Sequence, residues 1–174
     1  MLRHSDLQRA ADRRYLNPQL EISWKASELR DWYINKLRGM GYRFVQKRGP
    51  ASWRMKRFTT TYRRVIYLGV AWSMMSDHAQ AVLLAHEYVH ALQWRGERAF
   101  GLRYAFDQRY RWAAETQAYR ESCRAYRAVG FGKATMRRYA RRVPGRYIKG
   151  YLVTGARLRA AIRREMVPIL LQPY

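Results

Sequence analysis

The chain has 174 residues, 48% hydrophobic and 14% aromatic, enough for one globular domain with its own core. Its net charge of +23 rests on 35 Lys and Arg, only six of them Lys, and an unmasked surface of this kind attracts polyanions. The single cysteine, Cys123, excludes an internal disulfide and a Cys-rich zinc ribbon, and no apolar run reaches the roughly 20 residues of a membrane span.

No apolar segment follows Met1 to Asp6, so no Sec signal is expected. Residues 7–11 predict a short helix that ends before Asn17-Pro18, and His4 reads as a mobile surface side chain. A helix is expected over 27–38, capped by Ser27, with an apolar stripe of Leu29, Trp32, Tyr33 and Leu37 and a stop at Gly39 and Gly41. Alternation then predicts strands at 42–46, 52–58 and 62–68, with Gly49-Pro50 turning between the first two.

The next helix is expected over 77–95, with Ser76 or Asp77 as cap, Gln80 closing a loose capping box on Asp77, and Gly96 as stop. It contains His86-Glu87-Tyr88-Val89-His90. Residues four apart share a helix face, so both imidazoles can reach one ion, while Glu87 projects about 100° away. Ala79, Val82, Leu83, His86, Val89, His90 and Gln93 share that face; Ala81, Leu84, Ala85, Tyr88 and Leu92 form the opposite one. No Lys or Arg lies between Leu68 and Trp94, which predicts a buried, central helix. The plainer alternative is a pair of hydrogen-bonded core histidines beside a partnered carboxylate. His78, in the first turn, reads as a helix-terminus His.

Two histidines leave a catalytic zinc one protein ligand short. The candidate third is Glu115, on a second amphipathic helix over 108–128 that the 96–107 connection can return antiparallel to the first. Trp112, Glu115, Ala118, Tyr119, Ser122 and Tyr126 share its packed face; Arg120, Glu121, Arg124 and Arg127 share the other, with Glu121 expected toward solvent. For Glu115 the alternative is an ion pair with Arg111 or another Arg. Cys123 reads as a small core residue.

Beyond Gly130-Phe131-Gly132, a turn, a short Arg-dense helix is expected over 134–142, broken by Pro144-Gly145 and followed by extended chain at 146–153. A last helix is expected over 157–166, with Leu158 and Ile162 inward and Arg157, Arg159, Arg163 and Arg164 outward, then an extended apolar tail at 167–174. The whole reads as one domain over 1–174, with a core at 26–128 and a basic helical extension at 129–174.

The His-Glu-x-x-His pattern, Gln93 three residues on, the Gly- and aromatic-rich connector and Glu115-x-x-Ala118-Tyr119 together resemble a small zincin of the gluzincin type, a metallopeptidase-like domain frequent in bacterial and phage genomes. The resemblance spans 59–126 and includes residues 60–68, similar to the strand such domains set before the metal helix. It implies an α+β, minimal zincin-like fold: a small antiparallel sheet packed on a central metal-binding helix, with additional C-terminal helices. It implies Zn2+ held by His86, His90 and Glu115, with Glu87 as general base. The thermolysin-like pattern has an acidic residue four after the third ligand, where this chain has Tyr119; Gln93 is the substitute expected to orient a histidine. The metzincin pattern needs a third His, which is missing after Gly96.

The implied activity is hydrolysis of a peptide bond in a peptide or protein substrate, with Tyr119, Tyr62 or Tyr67 as candidate donors to the oxyanion. An edge strand beside the cleft would hold the substrate in extended form. The charge carries a reading from another class: a phage virion, packaging or nucleic-acid-binding protein whose Arg-rich faces contact DNA, RNA or another anionic surface and whose zinc fold is structural or a docking module. The expected location is cytoplasmic or virion-associated. The bland counterpart is a solvated Arg-rich face.

Overall fold

A computed structural model of the chain describes residues 23–48 and 58–171. The expected helix at 7–11, nearly all of the strand at 52–58, Gly49-Pro50 and His4 lie outside the described residues.

Helix α1 (Ala26–Gly39) buries Leu29, Tyr33 and Leu37, a four-residue repeat that makes one continuous stripe, with Trp32 half-buried beside it. Its cap is Lys25 rather than Ser27: the Lys25 N–H donates to the Glu28 carboxylate in the first turn. Strands β1 (Arg43–Gln46), β2 (Thr60–Tyr62) and β3 (Val65–Leu68) form a sheet in the order β1-β3-β2.

The sheet is mixed, which corrects the antiparallel expectation. β2 and β3 pair antiparallel, with Thr61 opposite Ile66, but β1 runs parallel to β3, with Phe44 opposite Ile66. β3 lies between the other two strands. The single strand expected over 62–68 is a hairpin, turned at Arg63-Arg64. Arg63 holds a φ of 52°, a left-handed conformation that favours Gly or Asn, so the turn has no compositional signal.

After a 3-10 turn (Trp72–Met74), helix α2 (Asp77–Gly96) begins where expected. Ser76 Oγ accepts from the Ala79 N–H. The capping box does not form, because the Gln80 amide donates to the Trp72 carbonyl and Asp77 pairs with Arg30 of α1. Gly96 is the last helical residue rather than the one past the end. α2 is buried nearly all round. Ala81, Leu84 and Ala85 pack with α1 and Ile66, and Tyr88 packs against Trp32 and Tyr33.

The connection after α2 holds a helix that hydrophobic periodicity did not reveal, α3 (Phe100–Phe106). A Cβ on Gly101 would come within 2.4 Å of the Trp94 ring, so glycine is what lets α3 fold back onto the end of α2. Helix α4 (Gln108–Ala128) has the predicted bounds and is capped by Asp107, whose Oδ1 accepts from the Arg109 and Tyr110 N–H groups. It is antiparallel to α2: Ser122 Oγ donates to the Val82 carbonyl near one end, and Gln93 donates to the Ala114 carbonyl near the other.

Glu121 does not face solvent. It is 0% exposed, accepting from the Tyr33 hydroxyl at 3.1 Å and from Arg124 at 3.0 Å. Arg120 and Arg124 are buried with it. A helical wheel assumes one covered face, but Tyr33 of α1 reaches this side of α4, and the Trp24 N–H just ahead of α1 donates to the Ala128 carbonyl.

Helix α5 (Lys133–Gly150) runs straight through Pro144-Gly145, against the expected break and the expected extended chain at 146–153. A proline inside a helix costs about 3 kcal/mol. Here its ring is buried, and the stripe of Met136, Ala140, Val143 and Tyr147 keeps both halves on the same core. Helix α6 (Ala156–Leu171) likewise continues through Pro168, so residues 167–171 are helical rather than extended. Its Ile162 is buried and Leu158 partly buried, while Arg157, Arg159, Arg163 and Arg164 are exposed as predicted.

Two apolar clusters result. One joins α1, the sheet, the back of α2 and the end of α4; the other joins Trp112 and Cys123 of α4 to α5 and α6. No described helix is long and apolar enough to cross a membrane.

Candidate metal centre

Between those clusters, the α2 face carrying His86, His90 and Gln93 meets the α4 face carrying Glu115 and Tyr119. Among the described residues, His86, His90 and Glu115 each offer one ligand atom, all within 4.8 Å of one another. His90 Nε2 lies 3.1 Å from His86 Nε2 and 3.1 Å from Glu115 Oε1, and His86 Nε2 lies 3.4 Å from Glu115 Oε2. These three residues lie close enough to bind one metal ion. Bonds of 2.0–2.1 Å to a tetrahedral ion put neighbouring ligand atoms about 3.3 Å apart, which is the spacing found here.

Hydrogen bonds outside the cluster fix the ring of His90. Gln93 Nε2 donates to the Ala114 carbonyl at 3.2 Å and to Gln117 Oε1 at 2.9 Å, which leaves Gln93 Oε1 as an acceptor. His90 Nδ1, 2.8 Å from that oxygen, is therefore the donor, and the Nε2 lone pair is aimed into the cluster. Gln93 thus stands where the sequence put it, behind a histidine. His86 Nδ1 and Glu115 Oε2 are buried and have no hydrogen-bond partner among the described residues. An orphaned carboxylate oxygen beside two converging imidazole nitrogens is a donor set that a cation completes, so the residues present fit a divalent metal.

The rest of the shell comes from places the sequence did not mark. Glu115 is 0% exposed, and its Oε1 accepts from the hydroxyls of Tyr104 on α3 and of Tyr151, just beyond α5, the latter at 2.7 Å. The two hydroxyls also touch each other at 2.7 Å. Arg111, a candidate partner of Glu115 by sequence, instead sets its guanidinium 6.0 and 5.4 Å from the Tyr104 and Tyr151 ring centroids. Tyr119 packs its ring edge-on to His86, with centroids 4.6 Å apart.

Glu87 is buried on the sheet side of α2, where Thr61 Oγ1 of β2 donates to its Oε2 at 2.8 Å. Of the other candidates, Tyr62 packs against Trp94, and His78 is exposed against Phe131 at the start of α2. Cys123 is a core residue whose thiol burial pushes up to about 12.

Tyr104 had one visible signal, its i,i+4 spacing from Phe100 just ahead of the capping Asp107. Tyr151 and Thr61 had none, since the first follows a proline-glycine pair and the second sits on a three-residue strand.

Burial alone would lower the His90 pKa, but the Glu115 carboxylate outweighs it and raises it to about 9. Burial also opposes the charge on Glu115, and His90 and His86 together hold its carboxyl well below the usual range. Burial, reinforced by the Glu115 charge, raises Tyr104 and Tyr119 well above an ordinary phenol, so both hydroxyls keep their protons.

The raised His90 pKa means that metal-free protein carries a proton there at neutral pH, and a metal must displace it. Metal affinity is expected to rise about tenfold per pH unit up to about 9 and then level. Calorimetric titration in buffers of different ionisation enthalpy checks this, with about one proton released per metal near pH 7.5.

No protein-family model, curated protein or solved structure matches the chain.

Proposed function

We propose that the chain is a zinc-dependent peptidase of the gluzincin type, in which His86, His90 and Glu115 hold Zn2+ and Glu87 is the general base. The observation that carries this reading is the approach of the Glu115 carboxylate to within 3.1–3.4 Å of two histidine nitrogens, with the buried Glu87 on the next residue position of the same helix. When bound, zinc supplies Lewis acidity toward a carbonyl oxygen and brings the pKa of a water toward about 7.

The remaining work falls to the chain's own side chains. Thr61 ties down one oxygen of Glu87, which leaves the other to accept a proton from water and return it to the leaving amine. Gln93 keeps the His90 Nε2 lone pair on the site. Tyr119, which keeps its proton and packs its ring against His86, is the candidate donor for the oxyanion. Among the described residues β2 is an edge strand of the sheet and carries Thr61, so an extended peptide adding to that edge would run beside Glu87.

Tyr151→Phe deletes one hydroxyl from Glu115 and is expected to weaken zinc binding about 10- to 100-fold without unfolding the protein. Competition with a chromophoric chelator reads the affinity, and circular dichroism reads the fold.

A second reading is favoured by the depth of the centre. His86 is 9%, His90 7% and Glu115 0% exposed, as in closed structural zinc sites. In that reading the metal staples α2 to α4 within a docking module. A hydroxamate added to cobalt-substituted protein separates the two. A shifted visible spectrum marks an open coordination position and the peptidase; an unchanged spectrum with metal retained marks the module.

A further inference from the structure

The peptidase reading uses none of the charge on α5. That helix contains seven basic residues and no acidic one, and the neighbouring α6 has its single acid, Glu165, bonded to Arg164. Arg137, Arg138, Arg141 and Arg142 line one shallow concavity of about 460 Å³ with Ala134. All four are exposed, and none has an acidic partner among the described residues. Spaced i, i+1, i+4 and i+5, they form two pairs about 6 Å apart along the axis.

We propose that this face of α5 is a binding site for the phosphate backbone of a double-stranded nucleic acid. The guanidinium fork matches phosphate oxygens in pairs, and a row of such forks on a rigid helix neutralises successive phosphates. The face carries no Asn, Gln, Asp or Glu to read adenine or cytosine edges, so the contact is assigned to phosphates rather than to a base sequence. Single strands are bound by interleaved exposed aromatics, whereas the aromatic residues of α5, Tyr139 and Tyr147, pack into its core. An anionic membrane surface is disfavoured because interfacial helices insert an apolar face. The apolar face of α5, with Met136, Ala140, Val143 and Tyr147, is already buried.

The test measures binding of a mixed-sequence 20-base-pair DNA duplex, the same duplex as RNA, and phosphatidylserine vesicles across a salt series. The full chain is compared with a variant carrying Arg137→Gln, Arg138→Gln, Arg141→Gln and Arg142→Gln. A charge-matched control carries Arg157→Gln, Arg159→Gln, Arg163→Gln and Arg164→Gln on α6. All eight side chains are exposed, and circular dichroism checks the fold of each protein. Loss of four phosphate contacts is expected to reduce the slope of log affinity against log salt by about 3.6 for DNA, and the α6 control by less than about one. Binding to either duplex with these changes supports the site, and the tighter duplex identifies its source. The proposal is overturned if the α5 variant keeps the parent slope, if both variants lose it equally, or if vesicles are bound and duplexes are not.

Discussion

Glu115→Ala is expected to lower zinc affinity by a factor on the order of 10³, more than the 10- to 100-fold typical of residues that only support a ligand. The substitution removes the anionic member of the set and leaves His86 and His90 with Nε2 atoms 3.1 Å apart and no counter-charge. It also strands the hydroxyls of Tyr104 and Tyr151, which share the same carboxylate oxygen. Breaking a buried charge pair costs about 3–5 kcal/mol, and here the loss lies below that range because His90 can shed its proton once its partner has gone. Glu115→Gln keeps the shape and both tyrosine acceptors, so it separates lost ligation from lost packing. Both variants are expected to have weak zinc binding, and Glu115→Gln a melting temperature nearer the parent. Parent-like affinity in Glu115→Gln would take the carboxylate out of the ligand set.

Glu87→Gln is expected to behave in the opposite way. The amide oxygen can still accept from Thr61, and the residue lies outside the ligand set, so zinc content and stability should match the parent. What it cannot do is take a proton from water, and peptide hydrolysis is expected to fall by about 10²- to 10⁴-fold. A mixture-based peptide substrate library followed by mass spectrometry measures this on zinc-loaded parent and variant. Equal cleavage by the two would remove Glu87 from the chemistry and with it the proposed mechanism. Zinc bound by both, with cleavage by neither, is the result the docking-module reading expects.

The difference between these two variants follows from a pattern legible in the sequence. Helix periodicity puts His86, His90 and Gln93 on one face of α2 and Glu115 on the packed face of α4, and the two faces do meet. Both helices keep nearly their predicted ends because Ser76 and Asp107 supply local, side-chain-to-backbone caps. What escaped the sequence depends on tertiary company. Glu121 is buried with the Tyr33 hydroxyl of α1 and Arg124 as its partners, which a wheel drawn for one helix does not show. Pro144 stays inside α5 because the buried stripe around it outweighs a local break. That continuity ends the helix at Gly150 and brings Tyr151 onto Glu115, so the basic C-terminal helices contribute directly to the centre. The hairpin at Arg63-Arg64 lacks any turn residue, and with it the position of Thr61 beside Glu87 was hidden.

X-ray absorption at the zinc edge, on protein purified without added metal, is the most direct test of one ion shared by α2 and α4. Two imidazole nitrogens and a carboxylate oxygen at about 2.0–2.1 Å, with a further light atom and no sulfur, are the expected first shell. A shell containing sulfur, a shell with fewer than two imidazoles, or protein that takes up no zinc would contradict it.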